Sequence, residues 1–347
     1  MESTSEPCTM RQIAGRLGLS VMTVSRALRN APGVAAATHR RVLAMARRLR
    51  YRPDPAFAVL NAYRNRRRKR TDYEPLGFIT NHPTPNHWRR IGTFVRYYEG
   101  ARKRAEELGY RLELFWAGDP RLTARRTSQI LRDRGIRGLL VGPRATGQSS
   151  LDLEWDWFCA VALGRSLAHP RLTTVSTNHF QAVELAWREA IARGFSRIGL
   201  ALSEDEEVRT AGTLHASYLL QQVPSGRAAI PVLLTAEFSS SATVAWAIDH
   251  RLDVLLSSDQ RHHDLLEGRL RRPLPFIHLN VDPASNLAGV DQGHDRVGEH
   301  AAALLHLKLI QRETGIPARR DIALLDGNWH EGTLTPGAPT APPAEIR

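Results

Sequence analysis

The sequence predicts a small all-α head at the N-terminus, followed by a larger α/β core of two lobes. Three observations support this prediction. The stretch 9–28, TMRQIAGRLGLSVMTVSRAL, contains two short helical patterns joined at a glycine. The net charge of +13 is concentrated in the first fifth of the chain. From residue 75 to residue 332, strand-like and helix-like runs alternate, which is typical of a parallel sheet with helices on both faces.

The distribution of charge indicates what the head binds. Residues 1–70 contain 16 Lys and Arg against 3 Asp and Glu, whereas the rest of the chain contains 32 of each sign. A basic segment with a compact helical unit is more typical of nucleic-acid binding than of attachment to a membrane surface. No stretch approaches the roughly 20 apolar residues needed to span a bilayer, and the N-terminus has no signal-peptide pattern. We therefore expect a cytoplasmic protein that binds no membrane.

The first two helices of the head have recognisable start and stop signals. Thr9 is a good N-cap, and Gln12 three residues later completes a capping box. Gly18 allows the left-handed backbone that ends a helix, and Ser20 caps the helix that follows. On this second helix, Val24 is expected to face inward.

A third helix is predicted from about Ala37 to Arg50, with Val42 and Ala46 on its buried face. Three small helices around one core form a helix-turn-helix unit, whose second helix enters the major groove of DNA. Pro53 and Pro55 then end the helical region. The charge run that follows, RNRRRKR, is typical of a solvated linker, and beside the head we expect it also to lie against phosphates.

The head also matches one known sequence pattern in order. The matching residues are Thr9-Met10, Ile13-Ala14, Gly18-Leu19-Ser20, Thr23-Val24-Ser25-Arg26, Leu28, Asn30, Val34, Thr38, Arg40-Arg41-Val42 and Tyr51-Arg52-Pro53. In this respect the chain resembles the DNA-binding segment of the LacI/GalR (lactose-repressor) family of bacterial transcription regulators. His39 is a minor departure, since the family usually has Arg at that position.

The resemblance implies that a hinge helix follows the head. In the family, a leucine of this helix wedges a base step in the minor groove and kinks the DNA, and Leu60 aligns with that leucine. The alternative for Leu60 is packing in a dimer contact. The hinge is where the chain departs most from the pattern, because Asp54, Pro55, Phe57 and Ala58 stand where the family prefers Asn-x-x-Ala-Arg.

The resemblance also implies a set of DNA contacts. Arg26 is expected to contact either a phosphate or a guanine edge. Val21 and Met22 occupy the family's base-reading positions, and because both are apolar we expect contacts with thymine methyl groups. The complete predicted DNA-binding set is Thr9, Ser20, Val21, Met22, Thr23, Ser25, Arg26, Asn30, Tyr51 and Leu60.

The core contains repeated strand and helix patterns. The predicted helices include Ile91–Leu108 and Ala182–Arg193. The predicted strands are Leu76–Thr80, Arg111–Phe115, Gly138–Gly142, Cys159–Leu163, Ile198–Leu202, Ile230–Leu234, Val254–Ser257 and Phe276–Asn280. This region resembles the effector-binding core of the same family, which is shared with periplasmic sugar-binding proteins. The resemblance implies a periplasmic-binding-protein-like core of two lobes with a cleft between them.

The predicted domain bounds follow from these patterns. They are 1–53 for the helix-turn-helix domain, 54–74 for the hinge helix and basic linker, 75–332 for the effector-binding and dimerisation core, and 333–347 for a disordered tail. Within the core, the N-lobe is predicted at about 75–176 and 289–316, and the C-lobe at about 177–285 and 318–332. The chain is expected to cross between lobes near Val175–Asn178, Pro283–Gly289 and Gly315–Ala318.

In such a core, small polar ligands lie between the lobes, at the carboxyl ends of the strands. The resemblance implies that Arg209, Asp259 and Asp282 contact the effector, and a guanidinium with carboxylates suits the hydroxyls of a sugar. The alternative for the two aspartates is helix capping. Ser258 stands where many relatives have Asn, which makes the usual effector an unsafe guide.

Position at a strand end adds three further candidates to the cleft. These are Asn81 and His82, with Trp88 as a candidate stacking platform for a sugar ring. The alternative for each is an ordinary loop residue.

The sequence predicts no metal, no cofactor and no enzymatic activity. Cys8 and Cys159 are too few and too far apart for a disulfide framework or a metal site. His262 and His263 lie near Asp259, but adjacent helical residues point in different directions and make poor co-ligands, so we expect a solvated helix start there. The chain contains no G-x-S-x-G nucleophile elbow and no phosphate-binding P-loop.

Together these patterns predict a homodimeric transcription regulator, a repressor, that binds a near-palindromic double-stranded DNA operator. A small polar effector in the cleft, a carbohydrate or a derivative of one, is expected to control it. The alternatives are an activator or dual regulator of the same fold, a sugar-binding receptor without a regulatory role, and an enzyme on a two-lobed α/β scaffold.

Overall fold

The computed structural model describes residues 9–28, 34–49, 51, 73–144, 149–225 and 228–334. The chain divides into two compact units, Met1–Arg64 and Asn65–Arg347. The first unit contains the head, and the second contains the core. None of the helices in these described ranges is both long enough and apolar enough to cross a membrane.

Three helices form the head. They are α1 (Met10–Leu17), α2 (Val21–Leu28) and α3 (Ala36–Arg48). Gly18 ends α1 with a left-handed φ of 63°, which lets the chain turn directly into α2. All three helices contribute to the buried core, which consists of Ile13, Ala14, Val24, Ala27, Val42 and Ala46. The predicted helix-turn-helix arrangement is confirmed.

The first lobe of the core is built on a six-stranded parallel sheet. Its strands are β1 (Glu74–Thr80), β2 (Tyr110–Trp116), β3 (Gly138–Val141), β5 (Cys159–Leu163), β7 (Thr174–Thr177) and β13 (Ile322–Leu325), in the spatial order β13-β7-β5-β3-β1-β2. A short pair, β4 (Ser149–Ser150) and β6 (Leu167–His169), belongs to the same lobe. The helices of this lobe are α4 (Gly92–Glu107), α5 (Ala124–Asp133) and α11 (His294–Gln311).

Two glycines let α4 and α11 approach each other closely. A Cβ atom on Gly100 would lie 2.0 Å from the carbonyl oxygen of Asp295, and one on Gly298 would lie 2.2 Å from that of Tyr97. Neither place has room for a side chain, so the two helix backbones are in direct contact. The same contact brings the rings of Tyr97 and His294 to a centroid separation of 4.8 Å.

The second lobe is built on a second six-stranded sheet. Its strands are β8 (Ile198–Ser203), β9 (Leu233–Thr235), β10 (Val254–Ser257), β11 (Phe276–His278), β12 (Gly289–Asp291) and β14 (Asn328–His330), in the order β14-β12-β11-β10-β8-β9, and only the β12–β14 pair is antiparallel among them. Its helices are α6 (His179–Ala192), α7 (Glu204–Thr210), α8 (Thr213–Gln222), α9 (Ser240–Asp249) and α10 (Gln260–Asp264). The two-lobed α/β core is thus confirmed.

The chain crosses between the lobes three times, and two of the predicted crossings are wrong. The first lies between β7 and α6, where we expected it. The second follows β12, because that strand pairs within the second sheet whereas α11 packs on the first, so it comes after the predicted Pro283–Gly289. The third separates β13 from β14, beyond the predicted Gly315–Ala318. Strands β12 and β14 have only three residues each, and the four residues of β13 are mostly exposed, so none of them has a buried apolar run that the sequence could show.

Two other bounds also differ from prediction. The strand expected at Ile230–Leu234 is observed at Leu233–Thr235, because the backbone N–H of Ile230 donates instead to the side-chain oxygen of Gln222, at 2.7 Å. Residues 333 and 334, the first of the tail predicted to be disordered, contact the core instead, since the carbonyl of Leu334 accepts a hydrogen bond from the N–H of Phe276 at 2.8 Å. The remainder of that tail lies outside the described residues.

Candidate DNA-binding surface and ligand cleft

Hydrogen bonds from polar side chains fix the starts of α1 and α2. The Thr9 hydroxyl accepts from the N–H of Gln12, at 3.4 Å, and the Gln12 side chain accepts from the N–H of Thr9, at 2.8 Å. The Ser20 hydroxyl accepts from the N–H of Thr23, at 3.0 Å, and lies 2.8 Å from the Thr23 hydroxyl. These bonds satisfy donors that a helix start leaves without a partner, and so they hold the two helices in their relative orientation.

The outer face of α2 exposes both apolar and basic side chains. Val21 is 42% and Met22 is 66% exposed, although both are large and hydrophobic. Arg26 is exposed on the same helix and Ser25 is half-buried, whereas Val24 is fully buried. The burial pattern therefore separates a core-facing side of α2 from a side that is open to a partner.

The surface of the head is uniformly basic. The described residues of the head, 9–28, 34–49 and 51, include no Asp or Glu. They include exposed arginines on all three helices, namely Arg11, Arg16, Arg26, Arg40, Arg41, Arg47 and Arg48. Such a surface attracts phosphates without regard to base sequence.

The other predicted DNA contacts have different positions. Tyr51 is half-buried against the core of the head, and its N–H donates to the carbonyl of Ala46, at 2.9 Å. Asn30, Leu60 and the predicted hinge lie outside the described residues.

Neighbouring strand ends build the candidate cleft of the core. Strands β1 and β3 are adjacent and parallel, and the N–H of Gly142 donates to the carbonyl of Ile79, at 2.9 Å. The residues that follow, Asn81 and His82 after β1 and Arg144 after β3, therefore reach the same edge of the first sheet. The Asn280 amide of the second lobe donates to the hydroxyl of Thr93 on α4 at 3.3 Å, so the two lobes are in contact beside the cleft. Arg209, on α7 of the second lobe, is one of the positive charges that act on His82.

His82 is a buried residue rather than an ordinary loop residue. Its ring is stacked on that of His87, with centroids 5.5 Å apart, and meets the edge of Phe94 at 4.5 Å. Its carbonyl accepts a hydrogen bond from the Trp116 indole at 2.7 Å. Burial, followed by the positive charges of His87 and two arginines, lowers the pKa of His82 below its usual value.

Trp88 lies in the core and not at the surface of the cleft. It is 1% exposed, its ring centroid is 5.1 Å from that of Tyr98, and the Arg89 guanidinium lies 4.8 Å from its ring. A ring that is covered in this way has no face open to a sugar, so the structure does not favour Trp88 as a stacking platform. Asn81 is half-buried and directly follows the end of β1, next to His82 in the sequence.

Arg209 and Glu206 belong to the short helix α7. Arg209 pairs with Asp205, with 3.4 Å between Nε and Oδ2. Glu206 accepts a hydrogen bond from the hydroxyl of Ser258, at the end of β10. Burial raises the pKa of Glu206 to about 7, opposed by the charge of Arg209, and the negative charge of Asp259 adds to the rise.

Both predicted aspartates make local capping contacts. Asp259 accepts from the N–H of Arg261 at 3.0 Å and from its guanidinium at 2.6 Å. Burial alone would raise the pKa of Asp259, but the hydrogen bonds from Arg261 lower it below its usual value. Asp282 is exposed and accepts from the N–H of Ala284, at 3.0 Å. Helix capping, the alternative considered for both residues, is therefore observed for Asp259, whereas Asp282 accepts within a turn that no helix follows. A role in ligand binding stays a prediction for both.

Sequence reasoning missed several buried polar residues around the cleft. Burial, then the charges of Arg165 and Arg209, lowers the pKa of His179 to about 4. Burial also lowers the pKa of His294 to about 3, and its Nε2 lies 2.7 Å from the side-chain oxygen of Asn280. His179, Asn280 and His294 each lie two or three residues after a strand, so their position near a strand end could have identified them.

His262 and His263 are core residues, which corrects the expectation of a solvated helix start. His262 is fully buried, with Nδ1 2.9 Å from the Ser257 hydroxyl and Nε2 3.1 Å from the Thr235 hydroxyl. Nε2 of His263 lies 3.1 Å from the carbonyl oxygen of Leu274. Each ring thus has a structural partner. Within the described ranges, no group of three His, Cys, Asp or Glu side chains is arranged to hold a metal ion.

A basic helix-turn-helix head joined to a two-lobed α/β core defines a class of DNA-binding regulators with a ligand cleft. Residues 9–54 match the family model described as "Bacterial regulatory proteins, lacI family". The N-terminal domain of this chain is therefore a lacI-family DNA-binding domain. Comparison with curated protein sequences finds no significant match.

Solved structures of transcription regulators share this fold. The Lac repressor dimer bound to operator and the anti-inducer ONPF has a TM-score of 0.52 at 16% identity, over 95% of this chain and 99% of that one. The complex of the transcriptional regulator CelR with cellobiose has a TM-score of 0.53 at 16% identity, over 94% and 100%. The transcription regulator CcpA of Lactococcus lactis has a TM-score of 0.54 at 15% identity, over 76% and 99%. These likenesses show the fold.

Proposed function

We propose that the protein is a transcriptional repressor that binds a near-palindromic operator and is controlled by a small polar effector between its lobes. The lacI-family match of residues 9–54 carries this proposal. It is supported by the exposed outer face of α2 and by the absence of Asp and Glu from the described residues of the head. A regulator of this kind acts where the DNA is, so we place it in the cytoplasm.

On DNA, some residues of the head recognise bases and others bind the phosphate backbone. Val21 and Met22 read the major groove through thymine methyl groups, and Arg26 contacts a phosphate or a guanine edge. The arginines of α1 and α3 neutralise phosphates, so that affinity falls steeply with salt. Leu60 is assigned to the minor-groove wedge of the hinge.

We infer that the chain acts as a homodimer. Two copies of the head, related by a twofold axis, fit two half-sites of a near-palindrome. The Lac repressor of similar fold is a dimer on its operator.

The effector site is assigned to the cleft between the two sheets, as in the fold-related CelR, which binds cellobiose. Arg209, Asp259 and Asp282 from the second lobe, with Asn81 and His82 from the first, supply hydrogen-bonding groups there. An effector that binds one arrangement of the lobes more tightly shifts the protein toward it and thereby changes DNA affinity. Operator binding must then change effector affinity by the same factor.

Selection of bound DNA from a random pool tests the proposal. The full-length protein should enrich a near-palindromic sequence, and a variant that lacks residues 1–70 should enrich none while its circular dichroism still shows a folded core. Failure to enrich any sequence, or enrichment by the truncated variant, would exclude the DNA-binding role and favour a receptor or an enzyme.

Transcription from a promoter that contains the selected site then identifies the direction of control. A repressor lowers the amount of transcript when the protein is added. A rise in transcript would show activation, the alternative for the same fold.

A further inference from the structure

Among the residues that the structure describes, Arg144 is a buried cation without a counter-ion, at the edge of the candidate cleft. The residue is 3% exposed and follows β3. Its Nη2 donates to the carbonyl of Ser150 at 3.2 Å, and its backbone N–H donates to the hydroxyl of Ser166 at 2.7 Å. The other two guanidinium nitrogens, Nε and Nη1, are buried and have no hydrogen-bond partner within the described ranges. A guanidinium has five N–H donors, so most of those of Arg144 are available to an acceptor.

His82 is the second such group at the same edge. It is 1% exposed, and neither ring nitrogen has a hydrogen-bond partner in the part of the chain that the structure describes. The β1–β3 pairing, Ile79 beside Val141, brings the ends of these strands together and so brings His82 toward Arg144. The charges that act on His82 are those of His87, Arg144 and Arg209, and all are positive.

Three carboxylates near the cleft already have partners, and a fourth, Asp282, is exposed and accepts from the N–H of Ala284. Asp119, which follows β2, is bound by the Arg121 guanidinium at 2.8 Å, and Asp259 is bound by Arg261. Glu206 accepts from Ser258, and because burial raises its pKa to about 7, it carries only part of a negative charge at neutral pH. Burial is the cause that lowers the pKa of Arg144, to about 10, and it still leaves the group charged at neutral pH. A buried charge is costly unless it is paired, so this edge of the first lobe is built for an acceptor that carries negative charge.

We propose that Arg144 and His82 form a subsite for an oxyanion of the effector, so that the effector is an acidic carbohydrate and not a neutral one. The proposal rests on the proposed function, since it assigns the ligand class of the same cleft. The guanidinium fork matches a carboxylate and a phosphate equally well, and these two groups are the sources to be distinguished. Arg209 from the opposite lobe adds positive charge near the site. Because both groups are covered, the ligand enters when the lobes separate and is enclosed when they close.

Four probes test the proposal on the full-length protein by thermal unfolding and calorimetry at constant ionic strength. They are glucuronate for a carboxylate, glucose 6-phosphate for a phosphate ester, inorganic phosphate for the anion alone, and glucose as the neutral control. We expect at least one anionic probe at millimolar concentration to raise the Tm, and glucose to have a smaller effect. The proposal is refuted if no anionic probe raises the Tm, or if glucose binds at least as tightly as all of them.

Variants assign the effect to the two residues. Arg144→Met should weaken binding of the anionic probe by about 10- to 100-fold, and Arg144→Lys, which keeps the charge, should weaken it less. His82→Gln provides a second, independent variant. Arg104→Met is the matched control, because Arg104 is an exposed arginine of the same lobe that pairs with Glu107. Unchanged anion affinity in both Arg144→Met and His82→Gln would overturn the assignment.

A purely structural role makes a different prediction. Removal of a buried charge that has no counter-ion should leave the Tm of ligand-free Arg144→Met unchanged or higher than that of the unaltered protein. A large fall in this Tm, together with retained anion binding by His82→Gln and Arg144→Lys, would show that Arg144 only supports the fold. Operator binding, measured in parallel, separates this proposal from the proposed function. A protein that binds anions but no operator would refute its role as a transcription regulator and leave the oxyanion subsite standing.

Discussion

Replacement of Glu206 by glutamine should remove a pH-dependent loss of stability. Burial raises the pKa of this carboxyl from 4.5 to about 7 in the folded protein. The native state therefore retains the proton at pH values where the unfolded chain has lost it. The contribution of Glu206 to stability is most favourable below pH 4.5 and declines as the pH rises through 7.

The size of this effect follows from the shift. One pKa unit corresponds to about 1.4 kcal/mol, so the shift sets an upper limit of about 3 kcal/mol. Since the side chain is only half-buried, solvent screening reduces this to about 2 kcal/mol. Glu206→Gln cannot ionise and keeps an acceptor for the Ser258 hydroxyl. It should match the unaltered protein in free energy of unfolding at about pH 4 and exceed it by about 2 kcal/mol at about pH 8.

Urea unfolding at a series of pH values measures this difference. The two proteins share every other titrating group, so the difference between their curves isolates Glu206. Glu204→Gln is the matched control, because Glu204 is an exposed carboxyl of the same helix, and its difference curve should be flat. A flat curve for Glu206→Gln as well would refute the reasoning.

Three further predictions concern the core, the reading helix and the hinge. Gly100→Ala should destabilise the core by about 1–3 kcal/mol, because its Cβ would overlap a backbone carbonyl of α11. Gly15→Ala, which has no atom within 4 Å of its Cβ, should instead stabilise the head by up to about 1 kcal/mol. Urea unfolding measures both changes in free energy, and a change of the same sign in the two variants would contradict the prediction. Val21→Ser with Met22→Gln should change the selected operator and leave nonspecific affinity nearly intact; an unchanged selection profile excludes base reading. Leu60→Ala should reduce operator bending in a gel-phasing assay, and equal bending would contradict the wedge.

The head could be predicted almost completely because its signals are local. The Thr9 capping box, the turn at Gly18 and the Ser20 cap each act within four residues, and all three are observed. Fully buried strands were also predictable: Cys159–Leu163 and Val254–Ser257 have the bounds expected from their apolar runs. The three-residue strands could not be predicted, because the tertiary structure of each lobe determines their pairing and their own sequences show no pattern.

The cleft was less predictable, since burial and charge there depend on which strand ends meet. Trp88 follows β1 as a ligand-stacking residue would, yet it packs into the core. Arg144 was missed because one arginine after a short strand gives no signal among so many arginines in the chain. Arg144 becomes a candidate because His82 lies at the same sheet edge and because it has no carboxylate partner among the described residues. Neither feature can be predicted from the residues around Arg144 in the sequence.

The contacts at the three crossings indicate how the lobes can move. At the second crossing, the Arg96 guanidinium of the first lobe binds Asp291, at the end of β12, at 2.8 Å and Asp295, at the start of α11, at 2.6 Å. The other two crossings are tied to each other by the Asn178 amide, which donates to the Asp326 carboxylate at 2.7 Å. A relative motion of the lobes that keeps these contacts intact is a rotation about the crossings. For the proposed regulator, we expect such a rotation to change the separation of the strand-end edges where Arg144 and Arg209 stand.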